Sequence, residues 1–267
     1  MKVYISVDIE GVAGITHWDE ATKTHPTYPE FREQMTREAI AACNGAIAAG
    51  ATEILLKDAH DSGRNIITAD LPDCVRIIRG WSGHPLSMVQ ELDDSFAAAM
   101  LIGYHSKAGA EGNPLAHTMT GRVNQITLNG NVVSEFLLHS YAAAMQGVPV
   151  VLVSGDKGLG EDVKALNPHI HTLATSEGIG RSTISLAPKE AVRLIEAAAT
   201  AALRGDHAAC RLILPSAFTL EISFNNPTDA YAASWYPGVQ HIGRRTIRFE
   251  TRDYFEVLRA VKFTLKA

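Results

Sequence analysis

The stretch Lys2-Val3-Tyr4-Ile5-Ser6-Val7-Asp8-Ile9-Glu10-Gly11 opens the chain with an apolar run that ends in two carboxylates and a glycine. A short run rich in Val and Ile is typical of a strand buried on both faces of a parallel sheet. Similar runs follow at residues 53–56, 75–78, 99–103 and 148–154. The sequence therefore predicts a mostly parallel central sheet whose first strand is residues 3–7.

Helical patterns lie between the predicted strands. Residues 29–49 carry apolar side chains at helical spacing and stop at Gly50, which is suited to the C-terminal cap of a helix. A second helix is expected to begin at Ser134 as N-cap and to end at Gly147, immediately before the strand at 148–154. This alternation predicts a three-layer α/β fold with helices on both faces of the sheet.

The last third of the chain has a different pattern. We expect an alanine-rich helix at residues 188–204, strands near 211–214 and 219–224, a short helix at 229–235, a strand at 246–251 and a final helix at 253–265. This order predicts a smaller α+β subdomain packed on the large sheet. We place the boundary near residue 185, which divides the chain into a metal-binding α/β domain, residues 1–185, and a subdomain, residues 186–267.

Composition narrows the classes of function. The 267 residues are 46% hydrophobic and 20% charged, which excludes a disordered or fibrous chain. Lys and Arg number 24 against 29 Asp and Glu, so the net charge of −5 disfavours nucleic acid or an anionic membrane as partner. The three cysteines are scattered without a CxxC pair, and no signal peptide or spanning segment is evident, so a cytoplasmic protein with a small-molecule substrate is expected.

The first candidate for chemistry is the carboxylate pair at the end of the first strand. Asp8 and Glu10 stand two residues apart, so in extended backbone both side chains point to the same face. The carboxyl edge of an open α/β sheet is also where ligands usually bind. A solvated acidic strand end would explain the pair equally well, but a divalent cation is the simplest relief of the repulsion between them.

Other polar residues follow predicted strands or begin a helix. His60 and His105 each come just after a strand, and Glu135 lies in the first turn of the helix capped by Ser134. His117 lies in a glycine-bearing connection of the kind that often covers an active site. Each has a simpler explanation: a surface or loop histidine, or a carboxylate that offsets the helix dipole. Together at one edge they favour a site.

The candidate ligands offer oxygen and nitrogen but no thiolate, a set that suits Zn²⁺, Mn²⁺ or Co²⁺. Five such ligands are too many for one open tetrahedral ion, but they suffice for two ions about 3.5–4 Å apart if one carboxylate bridges them. The absence of HExxH and HxxEH excludes a zinc-protease motif carried on a helix. For the tryptophans Trp18, Trp81 and Trp235, core packing is the preferred interpretation over a place in a pocket.

Several of these segments together resemble the DppA-type D-aminopeptidases, the M55 metallopeptidase family. The resemblance covers nearly the whole chain, and its motifs are specific in order and spacing. They are residues 6–14 (SVDIEGVAG), Asp58-Ala59-His60, Gly103-Tyr104-His105, Ala116-His117-Thr118-Met119, and Pro149-Val150 through Gly155-Asp156.

The resemblance implies a binuclear zinc centre, with Asp8 bridging two ions and Glu10, His60, His105 and Glu135 completing the ligand set. It implies that His117 is the catalytic histidine. It also implies a ring-shaped homo-oligomer, a homodecamer, that admits only short peptides and releases their N-terminal D-amino acid.

Ser134 stands where the family commonly has Gly before the Glu, and two further positions depart from the family pattern. His139 stands where the family commonly has Asn, and Lys57 where it often has Asn. Because positions i and i+4 share one face of a helix, His139 is expected to lie beside Glu135 and to border the metal shell. It is expected to alter metal ligation or the polarity of the pocket. Both departures bear on substrate preference more than on metal binding.

The resulting hypothesis is a zinc-dependent aminopeptidase that hydrolyses a peptide bond by metal-assisted attack of water. His117 would pass the proton to the leaving amine, or act as base or nucleophile. One alternative is another binuclear hydrolase acting on small or cyclic amides with the same ligands. A second alternative is a non-catalytic cytoplasmic module that binds peptides or stores metal.

Overall fold

The computed structural model describes residues 1–266. Over these residues the larger sheet has seven strands in the order β3-β2-β1-β4-β7-β8-β9. All neighbouring strands in it are parallel except β8 and β9, which are antiparallel. The predicted parallel sheet is confirmed. Its strands are β1 (Lys2–Val7), β2 (Glu53–Asp58), β3 (Val75–Ile78), β4 (Ala98–Tyr104), β7 (Val150–Asp156), β8 (His171–Ile179) and β9 (Ser182–Ser185).

The first strand lies near the centre of this sheet, between β2 and β4. Strands β4 and β7 are buried along their whole length, and β1 is buried from Val3 onward, because helices cover the sheet. Val7 of β1 is in register with Asp58 of β2 and with Ile102 of β4. The carboxyl ends of three adjacent strands therefore meet at one edge.

Helices flank the large sheet, as the alternating pattern predicted. The helices are α1 (Trp18–Ala21), α2 (Tyr28–Ala48), α3 (Glu135–Met145), α4 (Lys157–Leu166), α5 (Pro188–Arg204), α6 (Pro227–Ala233) and α7 (Tyr254–Thr264). The side chain of Ser134 accepts the amide hydrogen of Leu137, so the predicted N-cap of α3 is confirmed. Within residues 1–266, no helix combines the length and apolar character needed to cross a lipid bilayer.

A second, antiparallel sheet has the order β11-β12-β10-β5-β6 among the described residues. Its strands are β5 (Val123–Leu128), β6 (Asn131–Val132), β10 (Phe218–Phe224), β11 (Gln240–Gly243) and β12 (Thr246–Thr251). Burial alternates along β10, and α7 packs against the side chains on its covered face. Because β5 and β6 precede residue 185, a segment of the first two thirds completes this sheet; the division at 185 stays a prediction.

The strand predicted near residues 211–214 is wrong. That segment has no regular secondary structure, and the Ile213 side chain is 92% exposed. Leu212 and Leu214 do pack against the core, which explains the alternating pattern. Pro215 follows and cannot donate a backbone hydrogen bond, so the segment packs on the core as an irregular loop.

Candidate metal centre

The five predicted ligands converge at the carboxyl edge of the large sheet. Asp8 directly follows β1, His105 directly follows β4, and His60 comes two residues after β2. Glu135 is the first residue of α3, and Glu10 lies in the turn after β1. All five side chains are buried. The adjacency of β1, β2 and β4 in the sheet brings together residues that are far apart in the sequence.

One half of the cluster is built around His60. Its Nδ1 lies 3.1 Å from Glu10 Oε1 and 3.4 Å from Asp8 Oδ1. Its Nε2 is 2.8 Å from the Ala21 carbonyl. Because a carbonyl only accepts hydrogen bonds, Nε2 is the donor, and Nδ1 is left to face the two carboxylates. This is the arrangement that orients a histidine ligand in metalloproteins.

The other half is built around His105 and Glu135. The Nε2 of His105 lies 3.3 Å from Glu135 Oε2 and 3.8 Å from Asp8 Oδ2. Its Nδ1 donates to the Ser106 carbonyl at 2.9 Å. Asp8 thus presents Oδ1 to His60 and Oδ2 to His105. A carboxylate with one oxygen toward each half of a cluster has the disposition needed to bridge two cations.

Two buried atoms of the cluster have no hydrogen-bond partner within residues 1–266. They are Glu10 Oε2 and His105 Nε2. Leaving such groups unpaired away from water costs free energy, and a coordinated cation would satisfy both. The candidate ligand atoms of Asp8, Glu10 and His105 also lie within 4.8 Å of one another, as do those of His105, His117 and Glu135. The residues present therefore fit a zinc centre with imidazole and carboxylate ligands.

Proton binding in the cluster reflects burial and mutual attraction. Burial raises the pKa of Asp8 well above its usual value, and the neighbouring Glu10 raises it further. Burial lowers the pKa of His105, but Glu135 outweighs this effect and raises that pKa to about 10. Burial opposes ionisation of Glu135, yet the attraction to His105 and His117 holds its pKa to about 2. A cation entering the cluster would displace protons from these imidazoles, so metal affinity is expected to fall in acid.

His117 lies beside this cluster rather than apart from it. Its Nε2 is 3.5 Å from Glu135 Oε1, and its Nδ1 donates to the Leu115 carbonyl at 2.9 Å. The backbone amide of Met119 also donates to Glu135 Oε1, at 2.6 Å, and so ties the loop to α3. Trp18 packs edge-on against the His117 ring, with ring centroids 5.2 Å apart. The predicted catalytic histidine is therefore held in one orientation.

Close backbone contact at the strand ends makes this convergence possible. The amide of Gly11 donates to the Gly103 carbonyl at 2.8 Å. Gly103 has φ +70°, and a Cβ there would lie 2.3 Å from the Asp8 carbonyl oxygen. Only glycine fits that conformation at that distance. Gly103 belongs to the Gly103-Tyr104-His105 motif, but no local pattern explains why glycine is required there, because the requirement arises from a strand 95 residues earlier in the chain.

The cluster opens into a cavity of about 430 Å³. Trp18 and Trp81 line this cavity. Trp81 also packs against the core, as predicted, whereas Trp18 and Trp235 are exposed, so core packing is wrong for those two. Lys262 and Lys266, from the end of the chain, also line it. The sequence offered no signal for these lysines, because α7 reaches the site only through the packing of the second sheet.

The two departures from the family pattern lie in the surroundings of the cluster. Lys57 is buried, donates to the carbonyls of Asp58 and Gly80 at 2.7 Å each, and lies 3.9 Å above the Trp81 ring. His139 donates from Nδ1 to the main-chain carbonyl of Glu135 at 2.7 Å, and burial lowers its pKa. His139 also lines a smaller, mainly apolar cavity of about 150 Å³. Its effect on ligation stays a prediction.

A parallel α/β sheet with buried carboxylates and histidines at its carboxyl edge defines a metal-binding α/β protein. Residues 1–263 match the sequence profile of the M55 peptidases, which is described as D-aminopeptidase. This match identifies the family within the class. The chain belongs to this family.

Two relatives agree with this assignment. A D-aminopeptidase of Bacillus subtilis (strain 168) is 32% identical over 263 residues, which cover 98% of this chain and 95% of the relative. A solved structure, the Zn-dependent D-aminopeptidase DppA from Bacillus subtilis, a self-compartmentalizing protease, superposes with a TM-score of 0.94 at 30% identity. That match covers 100% of this chain and 97% of the other, so the whole fold is shared.

Proposed function

We propose that this chain is a binuclear zinc aminopeptidase that releases an N-terminal D-amino acid from short peptides. The observation that carries the proposal is the position of Asp8, whose two oxygens face His60 on one side and His105 on the other. Family membership supports the D-aminopeptidase activity, and the Zn-dependent relative supports the choice of metal.

In this proposal Asp8, Glu10, His60, His105 and Glu135 hold the zinc. When bound, zinc supplies Lewis acidity that polarises a carbonyl and makes water available as a nucleophile near neutral pH. The protein supplies the orientation: His60 and His105 each donate a hydrogen bond from one ring N–H to a backbone carbonyl, and the other ring nitrogen faces the cluster. Metal-ligand spacing is thereby set before any ion binds.

His117 is proposed to deliver a proton to the leaving amine from Nε2. Its Nδ1 is occupied by the Leu115 carbonyl, so Nε2 is the atom that can exchange a proton in the cavity. Glu135 Oε1, 3.5 Å away, would stabilise the protonated ring. The buried carboxylates also favour a substrate whose free α-amino group enters this end of the cavity.

The assembly and location are part of the same proposal. Because the solved relative is a self-compartmentalizing protease, we propose that this chain forms a ring-shaped homo-oligomer, a homodecamer, around an inner space that admits short peptides. The cysteines Cys43, Cys74 and Cys210 are free thiols, which supports a reducing, cytoplasmic location. Sedimentation at about ten times the mass of the 28.8 kDa chain would support the homodecamer, and a dimer would contradict it.

The decisive experiment combines metal content with stereochemistry. The purified chain is stripped with a chelator, reloaded with zinc, and assayed for release of free alanine from D-Ala-L-Ala and L-Ala-L-Ala. We expect two zinc ions per chain and faster release from the D-Ala peptide. Fewer than two ions would contradict the binuclear centre. Faster cleavage of the L-Ala peptide would overturn the stereochemical assignment and leave the hydrolase standing.

A further inference from the structure

Lys262 and Lys266 form a cationic wall in the cavity that holds the candidate metal centre. Both line the cavity of about 430 Å³, and both also border the adjoining apolar cavity of about 150 Å³. Lys262 is half-buried, and its Nζ lies 5.7 Å from the centre of the Trp81 ring. Trp81 in turn donates from Nε1 to the Asp61 carbonyl, in the turn that carries His60. The lysine therefore stands close to the ligand-bearing loops.

The ammonium group of Lys262 is not paired with a carboxylate in the described structure. Within the part of the chain that the structure describes, no acidic side chain lies within ion-pair distance of its Nζ. Burial lowers the pKa of Lys262, and repulsion from Lys266 lowers it further. A partly buried ammonium without a counter-ion beside a second ammonium is an unfavourable arrangement. An anion placed between the two would relieve it.

The packing of α7 fixes this wall relative to the metal-ligand cluster. The Tyr254 hydroxyl donates to the Leu138 carbonyl of α3 at 2.7 Å, and α3 begins with Glu135. Leu258 and Lys262 lie four residues apart on one face of α7, Lys266 follows just after the helix ends, and all three line the smaller cavity. The same helix pair thus supplies a proposed metal ligand at one end and a cation at the other.

The two signs of charge in the cavity come from different parts of the chain. The carboxylates of Asp8, Glu10, Asp61 and Glu135 come from the loops after β1 and β2 and from the start of α3, and the ammonium groups of Lys262 and Lys266 come from the C-terminal segment. A short unblocked peptide is a zwitterion with the complementary order of charges. If its amino end lies at the carboxylates, its carboxylate lies one or a few residues beyond, and each residue adds at most about 3.3–3.6 Å.

We propose that Lys262, assisted by Lys266, binds the free C-terminal carboxylate of the peptide and thereby selects short, unblocked peptides. This inference rests on the proposed aminopeptidase function and specifies its substrate class. A cation in the wall of this cavity recognises a carboxylate that lies one or a few residues from the scissile bond. Longer peptides and peptides blocked at the C-terminus would not form this contact.

The test compares D-Ala-L-Ala with its C-terminal amide, using the zinc-loaded full chain. The wild-type protein is expected to prefer the free acid in kcat/KM by about tenfold to a hundredfold, mainly through KM, because a hydrogen-bonded charge pair is at stake. In Lys262→Met the ratio of kcat/KM for the acid to kcat/KM for the amide falls toward one. Lys262→Arg retains much of the wild-type ratio. Lys189→Met, at an exposed lysine outside both cavities, keeps the wild-type ratio.

The outcomes separate the substrate class from the basic function. A wild-type ratio near one overturns the role of Lys262, whatever the variants do. Equal losses on acid and amide in Lys262→Met also overturn it, because they show that the ammonium group acts on both substrates alike and not on the carboxylate. Failure of the zinc-loaded wild type to release alanine from either peptide would instead overturn the proposed aminopeptidase. Calorimetric binding of the acid and the amide to His117→Ala gives the same comparison without turnover.

Discussion

The imidazole rings of His105 and His117 are stacked, with centroids 4.3 Å apart and an interplanar angle of 13°. Each ring directs Nε2 to a different oxygen of Glu135, and each donates from Nδ1 to a backbone carbonyl. One histidine comes from the end of a buried strand and the other from a loop. Their matching orientation places both Nε2 atoms beside the same carboxylate, that of Glu135.

Replacing His117 by Ala distinguishes a proton carrier from a metal ligand. We expect kcat to fall by about 10²–10⁴, the usual contribution of general acid–base catalysis, while the zinc content stays at the wild-type level. Metal analysis and steady-state kinetics on D-Ala-L-Ala give the two readouts. His241→Ala, at an exposed histidine, is the matched control. Loss of zinc from His117→Ala would assign this residue to the ligand set instead.

Replacing Gly103 by Ala tests the close contact beneath the cluster. Gly103 and Gly50 both have positive φ, but a Cβ at Gly50 meets open space. Gly50→Ala should cost about 1–2 kcal/mol, the penalty of the left-handed conformation. Gly103→Ala should cost that plus at least ~1–3 kcal/mol for overlap with the Asp8 backbone. Guanidinium unfolding measures both, and zinc titration should show weaker binding in Gly103→Ala alone; equal losses would contradict the contact.

Glu38, a buried carboxyl group outside the proposed ligand set, should make the free energy of unfolding depend on pH. Its Oε1 accepts hydrogen bonds from the Ala13 amide and from Gln34 at 2.8 Å each, and burial raises its pKa to about 7. The folded protein holds this proton more tightly than the unfolded chain does. The free energy of unfolding should therefore fall as pH rises from about 4.5 to 7, by up to ~3 kcal/mol from this group.

The variant Glu38→Gln removes that titration. We expect the difference in unfolding free energy between Glu38→Gln and wild type to change in favour of the variant from pH 5 to pH 7.5. Urea unfolding of the metal-free proteins measures it, and Glu33→Gln on the exposed face of the same helix controls for surface charge. A difference that is constant over this range would show that Glu38 ionises normally.

Lys57 should make the free energy of unfolding change with pH in the opposite direction. Burial lowers its pKa to about 8, so the folded protein releases this proton before the unfolded chain does. The wild-type free energy of unfolding should gain a contribution as pH rises from about 8 toward 10.5, and Lys57→Met should lack it. The variant should also lose about 1–3 kcal/mol at pH 7.5, because the Asp58 and Gly80 carbonyls lose their donor.

Guanidinium unfolding between pH 7.5 and 10 measures this effect, with Lys189→Met as the exposed control. Parallel curves for wild type and Lys57→Met would contradict the lowered pKa. A Lys57→Met protein as stable as wild type at pH 7.5 would show that the two hydrogen bonds contribute little.

Local patterns were enough to predict the parallel sheet and the place of the candidate ligands. Buried runs of Val and Ile mark strands, and chain order then places Asp8, His60 and His105 at strand ends. The Ser134 cap predicts where α3 begins and so places Glu135 in its first turn. These inferences succeeded because periodicity and capping depend on neighbours within a few residues.

The failures came from contacts between distant parts of the chain. The pattern at 211–214 resembles a strand, but no neighbouring strand pairs with it in the described structure. Strands β5 and β6 join a sheet built mainly from residues beyond 218. The local sequence of these two strands does not indicate this pairing. Trp18 and Trp235 are exposed although core packing was predicted, because the exposure of a side chain depends on which distant segments cover it.

The sequence by itself determined which chemical groups this protein has and, through strand and helix patterns, that most of them lie at one edge of a sheet. Only the tertiary structure decided how those groups face one another: Asp8 between two histidines, His117 stacked on His105, and Lys262 brought into the cavity by α7. The physical reason is that secondary structure follows local periodicity, whereas the geometry of a site depends on packing between elements distant in the chain.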